Sequence, residues 1–402
     1  MGEVTSTERE IIERAESEPM LDQVLAWSAV NSGSRNLGGL ERMADLLADA
    51  FAALPGVLRL ENPASVESVD ATGKAIPIPH GRHLHLTVRP TAPVQLLLTG
   101  HMDTVFPEDH AFQSTRWLED GVLNGPGVAD MKGGLAVMLA ALKAVEKSRL
   151  AERIGYEVII NSDEEVGSPA SAALLAQAAG GKRAALTYEP AALPDGTLAG
   201  ARPGSGNFSF VIHGKSAHAG RNPEDGRNAI VAASELALRL SMSKTPGLAI
   251  NPAKIDGGSP NNVVPDLAIL RVNMRPRTTD DQEIATRLIA KALDETAKQH
   301  DVYIEAHGGF GRPPKPLTEE AEALFKLVRK AGADLGQSIA WQPSGGVCDG
   351  NNIAACGVPV VDTMGVRGGK IHSMEEYLIV DSLAERAALS ALTILRLAVE
   401  AA

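Results

Sequence analysis

The sequence predicts an α/β protein with a mixed central sheet, interrupted by a smaller α+β unit. Three observations predict it. Apolar strand-like runs alternate with helical runs. The chain has 402 residues, more than one ordinary core holds, so two domains are expected. Between Gly206 and Gly311 the alternation changes to a β-α-β-β-α-β-like set, which closes at the proline-rich, hinge-like segment GRPPKP, residues 311–316.

Each element has its own signal. Residues 9–27 place Ile11, Ile12, Met20, Leu21, Val24 and Leu25 at helical spacing, and 39–53 follow as a second amphipathic helix. HLHLTV (83–88) alternates like a strand. VQLLLTG (94–100) is a continuous apolar run, as expected of a central strand buried on both faces. GGLAVMLAALKAVEKS, from Gly133, reads as an apolar helix against the sheet, and RIGYEVIINS, from Arg153, as a strand. SPASAALLAQAA reads as a helix with Ser168 as N-cap and Pro169 in its first position. ALTYEP, from Ala185, is a short strand. In the insert FSFVIHG, DLAILRVNMR and VYIEAHG read as strands, and NAIVAASELALRL and EIATRLIAKALDETAKQ as helices. A long helix from about Val380 ends the chain. The expected division is a main domain in two pieces, 1–206 and 312–402, and an inserted domain, 207–311.

Composition excludes several classes. A formal net charge of −12 argues against nucleic acid or anionic membrane as partners. Apolar runs are interrupted well before bilayer length, so no transmembrane helix is expected. MGEVTSTEREIIERAE is polar and acidic and does not read as an export signal. Cys348 and Cys356 are too few for a disulfide framework, and a reducing cytoplasm is the expected setting.

The chemistry sits in short segments where apolar runs give way to loops. His101 and Asp103 emerge at the end of LLLTGHMDTV, and ligands of open α/β sheets bind outside such strand ends. Residues two apart on an extended chain point the same way, so His101 can bind a metal while Asp103 accepts its other ring proton. Asp130 lies in the glycine-rich turn GPGVADMKGG, with both oxygens free to bridge two cations; alone, it also reads as a cap of the helix starting near Lys132. Of the adjacent Glu164 and Glu165, one can ligate metal while the other faces a bound water as general base. Glu189 in TYEPA and His372 in GKIHSMEEY complete two imidazoles and several carboxylates, the ligand set of a two-metal hydrolase.

In combination HMDTV, GPGVADMKGG, NSDEEVGS, TYEP, GKSAHAG, NNVVP and the late IHS resemble the M20 metallopeptidases over nearly the whole chain. The likeness is closest to glutamate carboxypeptidases of the carboxypeptidase G2 type, with acetylornithine deacetylase and aminoacylase as related deacylases. The resemblance implies a zinc-exopeptidase-like catalytic domain and a ferredoxin-like lid and dimerisation domain. It implies that Asp130 bridges two zinc ions, with His101 and Glu189 completing one and Glu165 and His372 the other. Glu164 would be the general base, and Asp103 would orient His101. His218 in GKSAHAG would reach a partner subunit's site and stabilise the oxyanion. Asn262 would contact substrate, Arg275 would grip a substrate carboxylate, and Gly345 and Gly346 would line the pocket. Val347 and Cys348 depart from the Gly and Thr expected there, which leaves the side-chain preference open.

The implied activity is hydrolysis of an amide beside a free carboxylate, in a small peptide or an N-acyl amino acid. A glutamate carboxypeptidase comes first and an N-acyl-amino-acid deacylase second. Aminopeptidase-like members usually carry Asp where this chain has Glu189. A metal-free binding protein would have lost ligands, and none is missing. Cobalt or manganese can replace zinc on such ligands. A homodimer is expected, from FSFVIHG as an edge strand, from the helix IVAASELALRL, and from the implied role of His218.

Overall fold

The structure is a computed structural model and describes residues 4–399. Its central sheet has six strands, in the order Val57–Glu61, His83–Val88, Ile154–Asn161, Val94–His101, Ala184–Thr187, Val360–Val361. The last four run parallel, and the first two add antiparallel at one edge. Apolar side chains of Val94–His101 alternate between two cores. Leu96 and Leu98 face helices Ser6–Glu16, Gly133–Val145, Glu319–Asp334 and Ser382–Val399, while Leu97 faces Ala172–Ala179 and Asp349–Ala355. The helix Gly133–Val145 is apolar all round and almost wholly buried, as its sequence requires.

Chain order positions the site. Val94–His101 leads through the buried helix to Ile154–Asn161 on one side, and the chain then crosses to Ala184–Thr187 on the other. The crevice at the carboxyl ends of these parallel strands is a topological switch point, the usual ligand position in such sheets.

Residues 205–312 form a second, antiparallel sheet, in the order Leu248–Gly257, Leu267–Pro276, Ser205–His213, Tyr303–Arg312. Helices Ala229–Met242 and Thr279–His300 cover one face around Phe210, Leu236, Leu270 and Ile289. The other face meets the hairpin of Glu67–Val69 and Ala75–Pro77, where Val69 packs on Val211 and Ile269.

Three local expectations change. FSFVIHG is not an edge strand: Ser205–His213 is hydrogen-bonded on both sides. The edges are Tyr303–Arg312 and Leu248–Gly257, and the latter carries Pro252 and a register shift beside it, so its pattern was not legible as a strand. The single helix expected over 9–27 divides into Ser6–Glu16 and Met20–Ser28, because Pro19 has no N–H to continue the ladder. Ser168 is no N-cap. It sits at φ 57, its hydroxyl donates to Asp349, and the helix starts at Ala172 after Ser171. Among the described residues no helix is long and apolar enough to cross a membrane.

Candidate active site

Five expected ligands converge at the carboxyl edge of the parallel strands. His101 ends one strand, Glu165 follows Ile154–Asn161, and Glu189 follows Ala184–Thr187. Asp130 lies in the turn before Gly133–Val145, where no side chain caps that helix. His372 lies in a loop at φ 62, a backbone region that non-glycine residues rarely adopt.

The two oxygens of Asp130 divide the cluster. Oδ1 lies 3.1 Å from Nε2 of His101, which is 3.6 Å from Oε2 of Glu189. Oδ2 lies 3.2 Å from Nε2 of His372, which is 3.1 Å from Oε2 of Glu165. Tetrahedral zinc with bonds of about 2.0–2.1 Å needs ligand atoms about 3.3 Å apart. The spacings, 3.1–3.6 Å on the His101 side and 3.1–3.2 Å on the His372 side, lie close to that value. The Oε1 of Glu189 is buried with no hydrogen-bond partner among the described residues, a further acceptor waiting for a cation. The donor set, imidazole and carboxylate, suits zinc and also cobalt or manganese.

Electrostatics agree. Burial, with Asp130 alongside, pushes Glu165 up to about 7. Hydrogen bonds donated to the carboxylates of Asp130 and Glu165 push His372 up to about 11. Burial raises Glu189, and raises Glu164 well above the usual carboxylate range although Arg312 opposes it. Burial would also raise Asp130, but His101 and His372 hold it well below the ordinary value. Four buried carboxylates around two imidazoles are an excess of negative charge, which bound cations relieve.

Asp103 does more than expected. The nearest acceptor to Nδ1 of His101 is its backbone carbonyl at 3.0 Å, with the carboxylate at 3.5 Å. That carboxylate accepts from the Ser34 hydroxyl at 2.7 Å and from the amides of Glu164 and Glu165 at 3.1 and 3.2 Å. One buried side chain therefore braces both the imidazole strand and the paired glutamates.

Sequence reasoning missed several residues. Glu376, 1% exposed, accepts from the amides of Gly127, Ala129 and Asp130 and so shapes the turn that carries Asp130. It lies in the same IHSMEEY segment as His372 but was not singled out. Arg312, in the proline-rich segment read as a hinge, donates to the Glu164 carboxylate at 2.7 Å. Arg202 forms a two-point ion pair with Asp362, joined by Lys315 at 2.9 Å, while its Nη1 reaches the Gly346 carbonyl at 3.2 Å. Nothing in the linear spacing marked these basic residues.

A cavity of about 330 Å³ opens beside the cluster, lined by Asp130, Glu164, Glu165, Glu189 and His372 on one wall and Arg202, Gly346 and Cys348 on another. Gly345 is not in that lining, but its carbonyl accepts from Nη1 of Arg275 at 3.4 Å, so the exposed Arg275 lies over the glycine-rich loop. His218 and Asn262 neighbour one another through the His218–Val263 bridge and a bond from the Ala219 amide to the Asn262 carbonyl. Both are exposed, and neither lines the cavity of its own chain. A second cavity, about 410 Å³, lies between the hairpin and the second sheet, away from the acidic cluster. The Arg271 guanidinium there is already engaged by Asp256, Ser209 and the Val69 carbonyl.

The sequence model of peptidase family M20/M25/M40 matches residues 97–396. Carboxypeptidase G2 of Pseudomonas sp. (strain RS-16) is 32% identical over 315 residues, 75% of this chain and 74% of that one. A succinyl-diaminopimelate desuccinylase of Hahella chejuensis is 25% identical over 281 residues, 66% and 71% of the two chains. The crystal structure of a tripeptidase from Staphylococcus aureus Mu50 superposes with a TM-score of 0.71 at 24% identity, covering 99% of this chain and 100% of that one, a likeness of fold.

Proposed function

The chain belongs to peptidase family M20/M25/M40, and on that premise we propose a two-zinc hydrolase that cleaves an amide beside a free carboxylate and releases a C-terminal amino acid, as a glutamate carboxypeptidase does. The observation that carries this reading is the division of Asp130 between the His101–Glu189 pair and the His372–Glu165 pair.

His101, Asp130 and Glu189 would hold one zinc, and Asp130, Glu165 and His372 the other. Bound there, the metals supply Lewis acidity that polarises the carbonyl and acidifies water. Glu164 takes the proton of the attacking water and returns it to the leaving amine. Asp103 keeps His101 and the Glu164–Glu165 segment in register. Residues 207–311 serve as lid and dimerisation domain on a catalytic domain of 1–206 and 312–402. From the partner's lid, His218 donates to the developing oxyanion and Asn262 contacts substrate. Arg275 grips the free carboxylate over Gly345 and Gly346.

Arg202 supports a preference for an acidic side chain. Arg202 lines the cavity, and behind it Lys315 shares the single carboxylate of Asp362, so this group of three keeps a net positive charge on the side away from the acidic cluster. An acidic side chain fits it better than an apolar one. A second reading, an N-acyl-amino-acid deacylase, is supported by the desuccinylase relative. The test is a screen of zinc-loaded protein against folyl- and peptidyl-glutamates and N-acyl amino acids, with a chelator control. Chelator-sensitive release of glutamate supports the first reading, and preference for small acyl groups supports the second. No hydrolysis of either series by protein carrying two zinc ions would sink both.

A further inference from the structure

We infer that Arg312 is the positioning residue of the general base Glu164, and that it ties this base to the root of the second sheet. The inference rests on the reading of Glu164 given above. Arg312 is 3% exposed and ends the strand Tyr303–Arg312. It pairs across the sheet with Ser205, the first residue of Ser205–His213, so both chain connections to the insert lie side by side.

The guanidinium is spread between two anchors. Nη1 donates to Oδ1 of Asp349 at 2.9 Å and to Oδ1 of Asn352 at 3.1 Å. Nη2 donates to Oε1 of Glu164 at 2.7 Å, to the Glu164 carbonyl at 2.9 Å and to the Ser168 hydroxyl at 3.0 Å. Asp349 is itself fixed, by Ser168 and by Asn161 at 2.8 Å. A planar fork held on one side by a fixed carboxylate points its other nitrogen in one direction. One oxygen of Glu164 is thereby occupied, and the carboxylate lies beside the cluster, with an oxygen within 4.8 Å of ligand atoms of His101 and Glu189. The other oxygen is left to take the proton of a water. The Asp349–Ala355 helix also grips the hinge: Asn351 donates to the Pro203 and Pro313 carbonyls and Asn352 to that of Gly311. Base and hinge segment thus share one set of bonds.

A lysine at 312 keeps the charge but cannot reach both anchors. Arg312→Lys is expected to retain two zinc ions per chain by metal analysis and to keep KM within about twofold. Its kcat should fall about 100-fold, the effect of a misplaced reacting group. In a Glu164→Gln background the same substitution should change kcat by less than about threefold, because the partner it positions is already lost. Should Arg312→Lys fail to fold, Asp349→Ala carries the same test, since it removes the charged anchor of the guanidinium without removing the guanidinium itself. Near wild-type kcat in these zinc-loaded variants overturns the inference. So does an equal loss in the Glu164→Gln background, or a rise in KM with kcat unchanged, which would make Arg312 a substrate contact. Wild-type protein inactive on every substrate marks instead the failure of the functional reading.

Discussion

Adding one methyl group at Gly134 should disable the metal site from the far side of Glu189. Gly134 opens the buried helix Gly133–Val145, and a Cβ there would lie 2.0 Å from the Tyr188 carbonyl oxygen. Side-chain carbons essentially never approach other atoms within 3.0 Å, so helix and strand end must part by about 1 Å or more. The strand end cannot yield on its other side. A Cβ at Gly365 would lie 2.2 Å from the same oxygen, and the Gly365 amide is bonded to the Glu189 carbonyl at 2.9 Å. Overpacking of this kind costs ~1–3 kcal/mol. Ligand distances tolerate only about 0.2 Å, so a shift of Glu189 of this size should weaken zinc binding ~10–100-fold at the site completed by His101. Calorimetric zinc titration of chelator-stripped Gly134→Ala, with kcat/KM on the best substrate, measures both effects. Two zinc ions at wild-type affinity, with wild-type turnover, would refute the close-packing argument.

Further predictions concern the proposed chemistry and the buried charges. Glu164→Gln should lose ~10²–10⁴-fold in kcat while metal analysis still finds two zinc ions; substantial surviving activity would remove Glu164 as base. His218→Ala should lose ~10²–10³-fold in kcat with the protein still dimeric in sedimentation; a strictly monomeric, fully active wild type would end its role in the partner's site. Asp362 is buried, which by itself raises it, but Arg202 and Lys315 hold it at about 2 against an ordinary 3.8. A folded-state value below the unfolded one stabilises above pH ~4 and is lost as pH falls toward 2, here about 2 kcal/mol. Acid unfolding followed by circular dichroism should lose that slope in Asp362→Asn, which should also be ~3–5 kcal/mol less stable at neutral pH with two buried cations unpaired. An unchanged acid slope would point to other carboxylates.

The elements that the linear pattern marked are those whose burial is uniform along their length. Leu96, Leu97 and Leu98 announce a strand buried on both faces, and the apolar helix from Gly133 announces its own position. The strand Leu248–Gly257 did not, because Pro252 and exposed polar residues break its pattern at an edge. The candidate ligands were legible because each sits where an apolar run stops, a place that short segments report well.

The sequence by itself determined the α/β class, the change of pattern that marks the insert and the candidate metal-binding residue types, since these follow from local periodicity and from motifs a few residues long. Only the tertiary structure decided how the site is held. Glu376 is 246 residues from the Asp130 amide it holds, Arg312 is 148 from Glu164, and Asp362 is 160 from Arg202. Partners that far apart in the chain leave no trace in its spacing. They meet because burying a charge without a counter-charge is too unfavourable, and only the folded core decides which charges are buried together.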